Sequence, residues 1–247
     1  MIVVQVEGNI GSGKSTFLKY LKDQIHSRNE DINIKIIDEP LSDWMNINNN
    51  NSNNNNNIFN LYYKNPKKYA ESFQTFAFLT MLNNSLKQNY KDIDILIMER
   101  SVYSSVHCFV KLLLDEKYIT PIFYEIMKKS LKLYKDKIIY PTTIVYLKTN
   151  DNDIDILTER IKNRGREAEK KIEKKYLRNL NNKYDKFIER FDKWIKDDDE
   201  DDDDDYFRGV KMFVIPINKS KTEQESIITV VLNYLTTYYL ELQYKRA

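Results

Sequence analysis

The sequence is poor in cysteine and contains no long apolar run. Cys108 is the one cysteine among 247 residues, which excludes an internal disulfide and fits a reducing compartment. No run of about 18 apolar residues occurs, so we expect no membrane-spanning helix. The first strand-like run begins at Ile2, which leaves no room for a signal or transit peptide. We therefore expect a single cytoplasmic domain over residues 1–247, long enough for a sizeable core.

The net charge is also small, but it is unevenly distributed. The chain has 39 lysines and arginines against 37 aspartates and glutamates, and nine of the acidic residues are consecutive at 197–205. Removing those nine from 37 leaves 28, and 39 against 28 is a net charge of +11 for the rest of the chain. A basic body favours a polyanionic ligand. Because the basic residues are dispersed and form no recognition motif, we expect no nucleic-acid partner.

Two segments of biased composition interrupt the chain. Residues 46–57 are almost all asparagine, a low-complexity composition that cannot pack a core, and we interpret them as a loop. We interpret the acidic run at 197–205 as a solvated insertion and not as a metal site, because bunched aspartates repel one another and rarely form a rigid cage.

The chain has only five glycines, and three of them lie in one motif near the N-terminus. The apolar run 2–6 predicts a buried strand. It leads directly into a match to the phosphate-loop pattern G-x-x-x-x-G-K-[ST], which reads Gly8-Asn9-Ile10-Gly11-Ser12-Gly13-Lys14-Ser15-Thr16. The glycines let backbone N–H groups approach phosphate oxygens, Lys14 can reach the β- and γ-phosphates, and the Ser15 hydroxyl suits Mg²⁺. A helix beginning near Lys14 points its positive end at the anion, so the motif predicts a nucleoside triphosphate site.

Strand-like runs and helical patterns alternate along the chain. The apolar runs cover 2–6, 32–37, 93–98, 142–147 and 211–217. This alternation predicts an α/β fold of three layers, in which a five-stranded parallel sheet has helices on both faces. A helix is expected over 67–90, directly after the asparagine-rich stretch.

Local signals mark the ends of three further helices. Thr120 and Pro121 predict a side-chain cap followed by a first-turn proline. The charged stretch 156–195 is interpreted as helical with a break near Gly165. Thr222-Glu223-Gln224-Glu225 predicts a capping box for the last helix.

Charged residues follow two of the predicted strands, at the edge where ligands of parallel sheets bind. Asp38-Glu39-Pro40 comes after the second run, and Glu99-Arg100-Ser101 comes after the third. A carboxylate beside bound phosphates can act as a general base for a hydroxyl nucleophile or hold Mg²⁺. An arginine there can neutralise charge during phosphoryl transfer. Together with the phosphate loop, these residues favour a phosphotransferase.

An arginine cluster follows the fourth predicted strand. Arg160 and Arg164 share a helix face because they are four residues apart, and Gly165 can relax the turn that brings Arg166 towards them. Clustered arginines on a hinged helix suit a lid over a triphosphate.

In their order along the chain, these residues resemble a known family, the deoxynucleoside kinases of the thymidine kinase 2, deoxycytidine kinase and insect deoxynucleoside kinase group. The resemblance covers nearly the whole chain. It rests on the segment from Glu7 to Thr16, Glu39-Pro40-Leu41-Ser42-Asp43-Trp44, Tyr63-x-x-Pro66, Phe73-Gln74-Thr75, Glu99-Arg100-Ser101-Val102-Tyr103-Ser104, and Arg164-Gly165-Arg166 with Glu169. It implies a P-loop kinase-like fold, a lid over 160–169, ATP as phosphate donor with Mg²⁺, and a homodimer.

The resemblance also implies a role for each matching residue around the donor. Glu39 would take the proton from the substrate 5′-hydroxyl, and Arg100 would stabilise the transferring phosphoryl group. Ser15 and Glu99 would hold Mg²⁺. The remaining ATP contacts would come from Gly8, Asn9, Gly11, Ser12, Gly13, Lys14, Thr16, Arg160, Arg164 and Arg166.

On the acceptor side, the resemblance implies that Gln74 reads the base edge through its amide donor and acceptor. Trp44 and Phe109 would wall the base, and Tyr63 and Glu169 would bind the sugar 3′-hydroxyl. Glu167 offers a second carboxylate in the lid. We choose Glu169 for the sugar contact because it lies three residues after Arg164-Gly165-Arg166, as the resemblance implies.

Two positions bear on the choice of base. Deoxycytidine and deoxyguanosine kinases of this family carry an arginine and an aspartate where this chain has Met81 and Ser105. Met81 and Ser105 leave room for the 5-methyl group of thymine without a buried charge beside it. The expected substrates are therefore pyrimidine deoxynucleosides, with thymidine leading.

Two other functions remain open at this stage. A nucleoside monophosphate kinase such as thymidylate kinase would share the phosphate loop and lid, although the Glu39 carboxylate suits a neutral hydroxyl acceptor better than a phosphate. A GTP-binding switch would use Asn182-Lys183-Tyr184-Asp185, which spells N-K-x-D. That string lies in a charged helical stretch and not at a strand end, so we interpret it as a coincidence.

Overall fold

The computed structural model describes residues 1–26, 32–47, 57–87, 90–196 and 209–244. Apart from its ends, the asparagine-rich stretch lies outside the described residues, and so does the whole acidic run. Five strands form one sheet in the order β2-β3-β1-β4-β5, and every neighbouring pair is parallel. The strands are β1 (Ile2–Gly8), β2 (Ile34–Ile37), β3 (Ile95–Glu99), β4 (Thr143–Lys148) and β5 (Lys211–Pro216). The α/β class with a five-stranded parallel sheet is thereby confirmed.

Helices flank this sheet on both faces. They are α1 (Lys14–His26), α2 (Leu41–Asn46), α3 (Ile58–Lys64), α4 (Pro66–Asn84), α5 (Val102–Ser104), α6 (Lys111–Asp115), α7 (Pro121–Leu133), α8 (Ile154–Arg164), α9 (Lys174–Lys196) and α10 (Lys221–Tyr244). A π-helical segment, Ser105–Val110, joins α5 to α6, and a 3₁₀ segment, Glu167–Lys171, follows α8. None of the helices in the described part of the chain combines the length and hydropathy of a bilayer-spanning segment.

The core covers both faces of the sheet because successive strand residues point in opposite directions. Val4 and Val6 of β1 join the larger cluster, whereas Val3 packs with Leu96 and Met98 of β3 in a second cluster. Every residue of β1 is buried. Burial on both faces explains why these strands read as continuous apolar runs in the sequence.

The parallel topology brings the chemically interesting residues to one edge. The carboxyl end of β1 leads into the phosphate loop, and its Val6 pairs in register with Glu99 at the end of β3. The end of β2 leads into Glu39. Ligands of open parallel sheets bind outside this edge.

Two of the expected helix ends are wrong. The helix expected over 67–90 ends at Asn84, where Asn83, Asn84 and Ser85 follow one another and favour turns over helix. The capping box of the last helix is formed by Ser220 and Glu223 instead of Thr222 and Glu225. Ser220 donates its N–H and its hydroxyl to the Glu223 carboxylate, both at 2.9 Å, because the helix begins two residues earlier than expected.

The other two helix signals are confirmed. The Thr120 hydroxyl accepts from the N–H of Phe123 at 3.2 Å, and Pro121 is the first residue of α7. Helix α8 ends where Gly165 adopts φ 73°, a left-handed conformation that favours glycine.

Candidate active site

A cavity of about 500 Å³ opens at the carboxyl edge of the sheet, a volume typical of a small-molecule site. The sequence-predicted site residues all line it except Gly8 and Asn9. Asn9 instead anchors the loop to α9, because its side-chain amide donates to the Leu177 carbonyl at 2.8 Å. The fold thus gathers residues from many separate segments of the chain around one space.

The phosphate loop is closed tightly against its neighbours. A Cβ atom added to Gly8 would lie 2.8 Å from the Ser12 hydroxyl and 2.9 Å from the Leu147 carbonyl. One added to Gly11 would lie 2.9 Å from the Leu157 carbonyl. Both glycines also have positive φ, 148° and 78°, a region that other residues rarely adopt. The loop therefore requires glycine at both positions, and a tight glycine-rich turn of this kind is the backbone conformation that binds anions.

Lys14 is buried at the centre of this loop. Its ammonium group donates to the carbonyls of Gly8 at 3.1 Å and Asn9 at 2.8 Å. Burial lowers its pKa to about 7, and the Arg100 charge acts in the same direction, while the Glu99 and Glu39 carboxylates oppose the shift. A bound anion would stabilise the charged form of this buried lysine and raise its pKa again.

Ser15 and Glu99 meet at the mouth of the loop. The Ser15 hydroxyl lies 3.2 and 3.1 Å from the two Glu99 carboxylate oxygens. Both groups offer the hard oxygen atoms that Mg²⁺ prefers, and Mg²⁺ is commonly held by one or two carboxylates together with substrate phosphates. Among the described residues, no larger cluster of histidine, cysteine, aspartate or glutamate competes for the metal. The donor set therefore fits Mg²⁺.

Glu39 and Arg100 form an ion pair in which the side chains are only 11% and 7% exposed, and both residues line the same cavity as Lys14. The Arg100 guanidinium also donates through Nε to the Tyr184 hydroxyl at 3.2 Å, and it lies 4.7 Å from the centre of the Phe109 ring. Burial alone raises the pKa of the Glu39 carboxyl, but the charges of Arg100 and Lys14 outweigh it and the net pKa lies below its ordinary value. Glu39 is therefore ionised at neutral pH, which is the state that a proton acceptor needs.

Aromatic side chains form the opposite wall. The Trp44 indole donates to the Thr80 hydroxyl at 2.9 Å and meets the Phe73 ring edge-on at 5.4 Å. Tyr63 packs edge-on against Phe59 at 5.1 Å. These contacts fix the ring planes and create a flat apolar slot of the kind that holds a planar ligand.

Polar and flexible side chains line the end of that slot. Gln74 and Met81 are both buried on α4, and their spacing of seven residues is two helical turns, so they share one face. Ser105 and Phe109 come from the π-helical segment opposite. Segments of π-helix are frequent at functional sites, and no sequence signal predicted this one.

The arginine cluster divides into two groups that bind different partners. Arg160 donates to the Ser12 carbonyl at 3.2 Å and to the Ile217 carbonyl at 3.1 Å, which ties the phosphate loop to the β5–α10 connection. Arg164 and Arg166 instead bind the two oxygens of Glu169, which is buried. Glu167 is exposed and pairs with Lys170, whereas Glu169 lines the cavity, so Glu169 is the one of these two carboxylates that faces it.

Two residues near the site carried no assigned role in the sequence. Tyr184, the hydroxyl partner of Arg100, belongs to the N-K-x-D string, which lies inside α9 and not at a strand end. The sequence pattern around Tyr184 indicates only a core residue, because it follows Leu177 and Leu180 at helical spacing. All three residues are buried. Glu7, the other residue, lies immediately before the phosphate loop and is 1% exposed.

Comparison with known proteins identifies relatives along most of the chain. The family model described as deoxynucleoside kinase matches residues 4–236. A protein of fowlpox virus named as a probable deoxycytidine kinase is 30% identical over 186 residues, which cover 75% of this chain and 71% of the viral protein. A putative kinase of invertebrate iridescent virus 3 is 30% identical over 192 residues, or 77% and 84% of the two chains. Human mitochondrial thymidine kinase 2 is 27% identical over 187 residues, or 75% and 64%.

Proposed function

Because the chain belongs to the deoxynucleoside kinase family and is a phosphotransferase acting on deoxynucleosides, we propose that it transfers the γ-phosphate of ATP to the 5′-hydroxyl of a pyrimidine deoxynucleoside. The product is the nucleoside monophosphate. The observation that carries this proposal is the placement of the Glu39–Arg100 pair in the same cavity as Lys14 and the Ser15–Glu99 pair. A base and its partner charge thus face a phosphate-binding loop, as transfer to a hydroxyl requires.

Glu39 is the general base in this proposal. Its carboxylate accepts the proton of the 5′-hydroxyl as that oxygen forms a bond to the γ-phosphorus. The bond from phosphorus to the bridging oxygen then breaks, and ADP leaves with the electron pair. Arg100, held beside Glu39 by its ion pair and beside Tyr184 by its hydrogen bond, neutralises charge on the transferring group.

The donor phosphates would lie against the loop backbone and Lys14. Arg160, Arg164 and Arg166 would close over them, with Arg164 and Arg166 exchanging part of their contact with Glu169 for phosphate oxygens. Ser15 and Glu99 would hold Mg²⁺, which supplies charge neutralisation to the phosphates when it is bound.

On the acceptor side, Gln74 would read the base edge between Trp44 and Phe109. Met81 and Ser105 are both neutral and line the cavity, which supports thymidine as the leading substrate, with deoxycytidine and purines accepted more weakly. The names of the relatives include both deoxycytidine kinase and thymidine kinase, so they do not decide the preference. Tyr63 and Glu169 would bind the sugar 3′-hydroxyl.

We also propose a homodimer. Three large apolar side chains support it, because Leu79 on α4 and Ile122 and Ile126 on α7 are 53%, 71% and 54% exposed. The two helices are fastened together where Thr120 donates to Glu71. Light scattering, which measures the molar mass in solution, tests this proposal, and the Ile126→Asp variant should have the mass of a monomer. A role in DNA-precursor salvage in the cytoplasm stays a prediction of the sequence.

The experiment that tests the proposed reaction measures ADP release with ATP and each of the four deoxynucleosides, and with thymidine monophosphate. We expect the highest kcat/KM with thymidine. A deoxyguanosine kcat/KM tenfold above that of thymidine would remove the preference but not the enzyme class. Turnover with thymidine monophosphate but with none of the deoxynucleosides would identify a monophosphate kinase. A second assay, with GTP and no nucleoside, would favour the switch protein if it showed GTP hydrolysis.

A further inference from the structure

Glu7 is a buried acid that the proposed reaction does not use. It is the last residue but one of β1, directly before Gly8 of the phosphate loop. Charged side chains are almost never buried to this extent unless they are paired or hydrogen-bonded, so its contacts indicate why the chain keeps a carboxylate there.

Those contacts lead to the turn after β3. The N–H of Ser101 donates to Glu7 Oε1 at 2.9 Å, and the Ser101 hydroxyl donates to the same oxygen at 2.6 Å. The Ser101 hydroxyl in turn accepts from the N–H of Ser104 at 3.0 Å and caps helix α5. One carboxylate therefore fixes both the backbone and the side chain of the residue that begins this helix.

Arg100 lies between Glu99, the last residue of β3, and Ser101, which Glu7 binds. Its φ of 64° lies in the left-handed region, which few residues other than glycine adopt and which persists only where the surroundings impose it. Its own N–H donates to the Val6 carbonyl at 3.0 Å. Val6 and Glu7 thus hold the turn on either side of Arg100, and the guanidinium is directed to Glu39.

We propose that Glu7 is a positioning residue for the transfer reaction, because it holds Ser101 and thereby keeps Arg100 in the conformation that pairs with Glu39. Through the peptide bond between Glu7 and Gly8, the same residue ties the phosphate loop to the acceptor side of the cavity. This inference rests on the proposed function, since the part that Arg100 plays in the transfer is assigned there.

Elsewhere in the protein the same pair of hydrogen bonds holds the start of α7, a helix that contributes no residue to the lining of the cavity. Glu71 Oε1 accepts from the N–H and from the hydroxyl of Thr120, both at 2.9 Å, and Thr120 is the cap of α7. The two pairs have the same chemistry, but only the turn held by Glu7 carries an arginine of the site. Glu71 therefore provides a matched control.

The test is a double-mutant cycle that measures the coupling between Glu7 and Arg100 in kcat. Burial raises the pKa of Glu7 to about 7, so the assays are run at pH 8, where the carboxylate is ionised. There Glu7→Gln keeps the shape of the side chain but removes the charge that strengthens both hydrogen bonds. We expect this variant to lower kcat for thymidine by about 10- to 100-fold, since small misplacements at a reacting centre cost rate on that scale. In an Arg100→Lys background, the same change should lower kcat by less than about twofold, because residues that act through one another are not additive. A merely structural role of Glu7 would give the same factor in both backgrounds.

Several controls decide the outcome. Glu71→Gln should leave kcat within about twofold of the wild type. If Glu7→Gln does not fold, Ser101→Ala replaces it in the cycle, because this change removes the hydroxyl that donates to Glu7. Equal factors in the two backgrounds, or a Glu7→Gln enzyme as fast as the wild type, would overturn the proposal. A wild-type protein inactive towards every deoxynucleoside would instead refute the proposed function, so the two failures are distinguishable.

Discussion

The proposed donor and acceptor halves of the cavity are built in different ways. The proposed donor half is mainly backbone: one continuous segment, Gly8 to Ser15, turns tightly around Lys14, whose ammonium group donates to the carbonyls of Gly8 and Asn9. The acceptor half is made of single side chains that come from α2, α3, α4 and the π-helical segment. A backbone site can recognise a group that all triphosphates share, whereas a side-chain site can be altered one residue at a time. We therefore expect donor changes to abolish turnover and acceptor changes to redirect it.

The largest loss should follow Lys14→Ala. Lys14 is the buried cation of the loop and interacts with the Glu99 and Glu39 carboxylates, so its removal takes a positive charge away from the place where we propose that phosphates bind. We expect kcat/KM for ATP to fall by about 10³-fold or more, a loss typical of a missing charge in a phosphoryl-transfer site. Lys19→Ala, which removes an exposed lysine from the same helix, is the control. Normal turnover by the Lys14 variant would contradict the assignment of the loop.

A smaller but still large loss should follow Glu39→Gln. The carboxamide cannot take the 5′-hydroxyl proton, so we expect kcat to fall by about 10²–10⁴-fold, the usual contribution of a general base. Binding of ATP, measured by calorimetry, should change little because the donor half is separate. Asp38→Asn removes the neighbouring carboxylate, which is exposed, and should be nearly silent. Retained turnover in the Glu39 variant would assign the base to another residue.

The same contrast explains what could be predicted from sequence. The phosphate loop is contiguous, and its glycines and lysine have fixed spacing, so it was predicted from local pattern alone. Buried parallel strands also read directly as apolar runs, and all five are confirmed with boundary shifts of one or two residues. The acceptor residues have no common local pattern, and their assignment depended on the resemblance to a family.

Contacts between distant segments were beyond sequence reasoning. Neither the Ser101–Glu7 contact nor the Arg100–Tyr184 contact has a local signature, because each joins residues more than 80 positions apart. The π-helical segment, and the division of the arginines between Ile217 and Glu169, likewise depend on packing. The capping box at Ser220 was missed for a different reason, since two overlapping Ser/Thr-x-x-Glu patterns competed and the structure uses the earlier one.

Substrate choice should respond to paired changes in the acceptor half. Met81→Arg alone places an unpaired charge in a buried position and should destabilise the fold, because an uncompensated buried charge costs about 3–5 kcal/mol. Met81→Arg with Ser105→Asp supplies a partner from the opposite wall. We expect the double variant to regain stability and to lower the preference for thymidine over deoxycytidine by about tenfold or more, measured as the ratio of kcat/KM values.

Ser72→Arg, on the exposed face of the same helix, controls for the added charge and should leave this ratio unchanged. An unchanged ratio in the double variant would show that Met81 and Ser105 do not set the choice of base.

The last prediction concerns the pH dependence of stability and depends on Glu7, which we propose joins the two halves. Burial raises the pKa of its carboxyl from 4.5 to about 7, although Ser101, Ser104 and the charges of Arg100 and Lys14 oppose the shift. The titratable groups facing it from the other packed elements are Tyr146, Cys108 and Tyr184. A folded-state pKa above the unfolded one means that this carboxyl contributes stability below pH 4.5, and that the contribution is lost as pH rises towards 7.

The free energy of unfolding of the wild type, relative to Glu7→Gln, should therefore fall by about 1.4 kcal/mol per pH unit within that window. Urea denaturation of both proteins between pH 4.5 and 8 measures this difference. His107 produces the opposite slope, because burial lowers its pKa to about 4, but both proteins contain it and its contribution cancels. A difference that is constant across this range would mean that Glu7 is already ionised in the folded protein. Its two hydrogen bonds to Ser101 would then be fully charge-assisted at every pH tested, and the link between the donor and acceptor halves would not depend on pH.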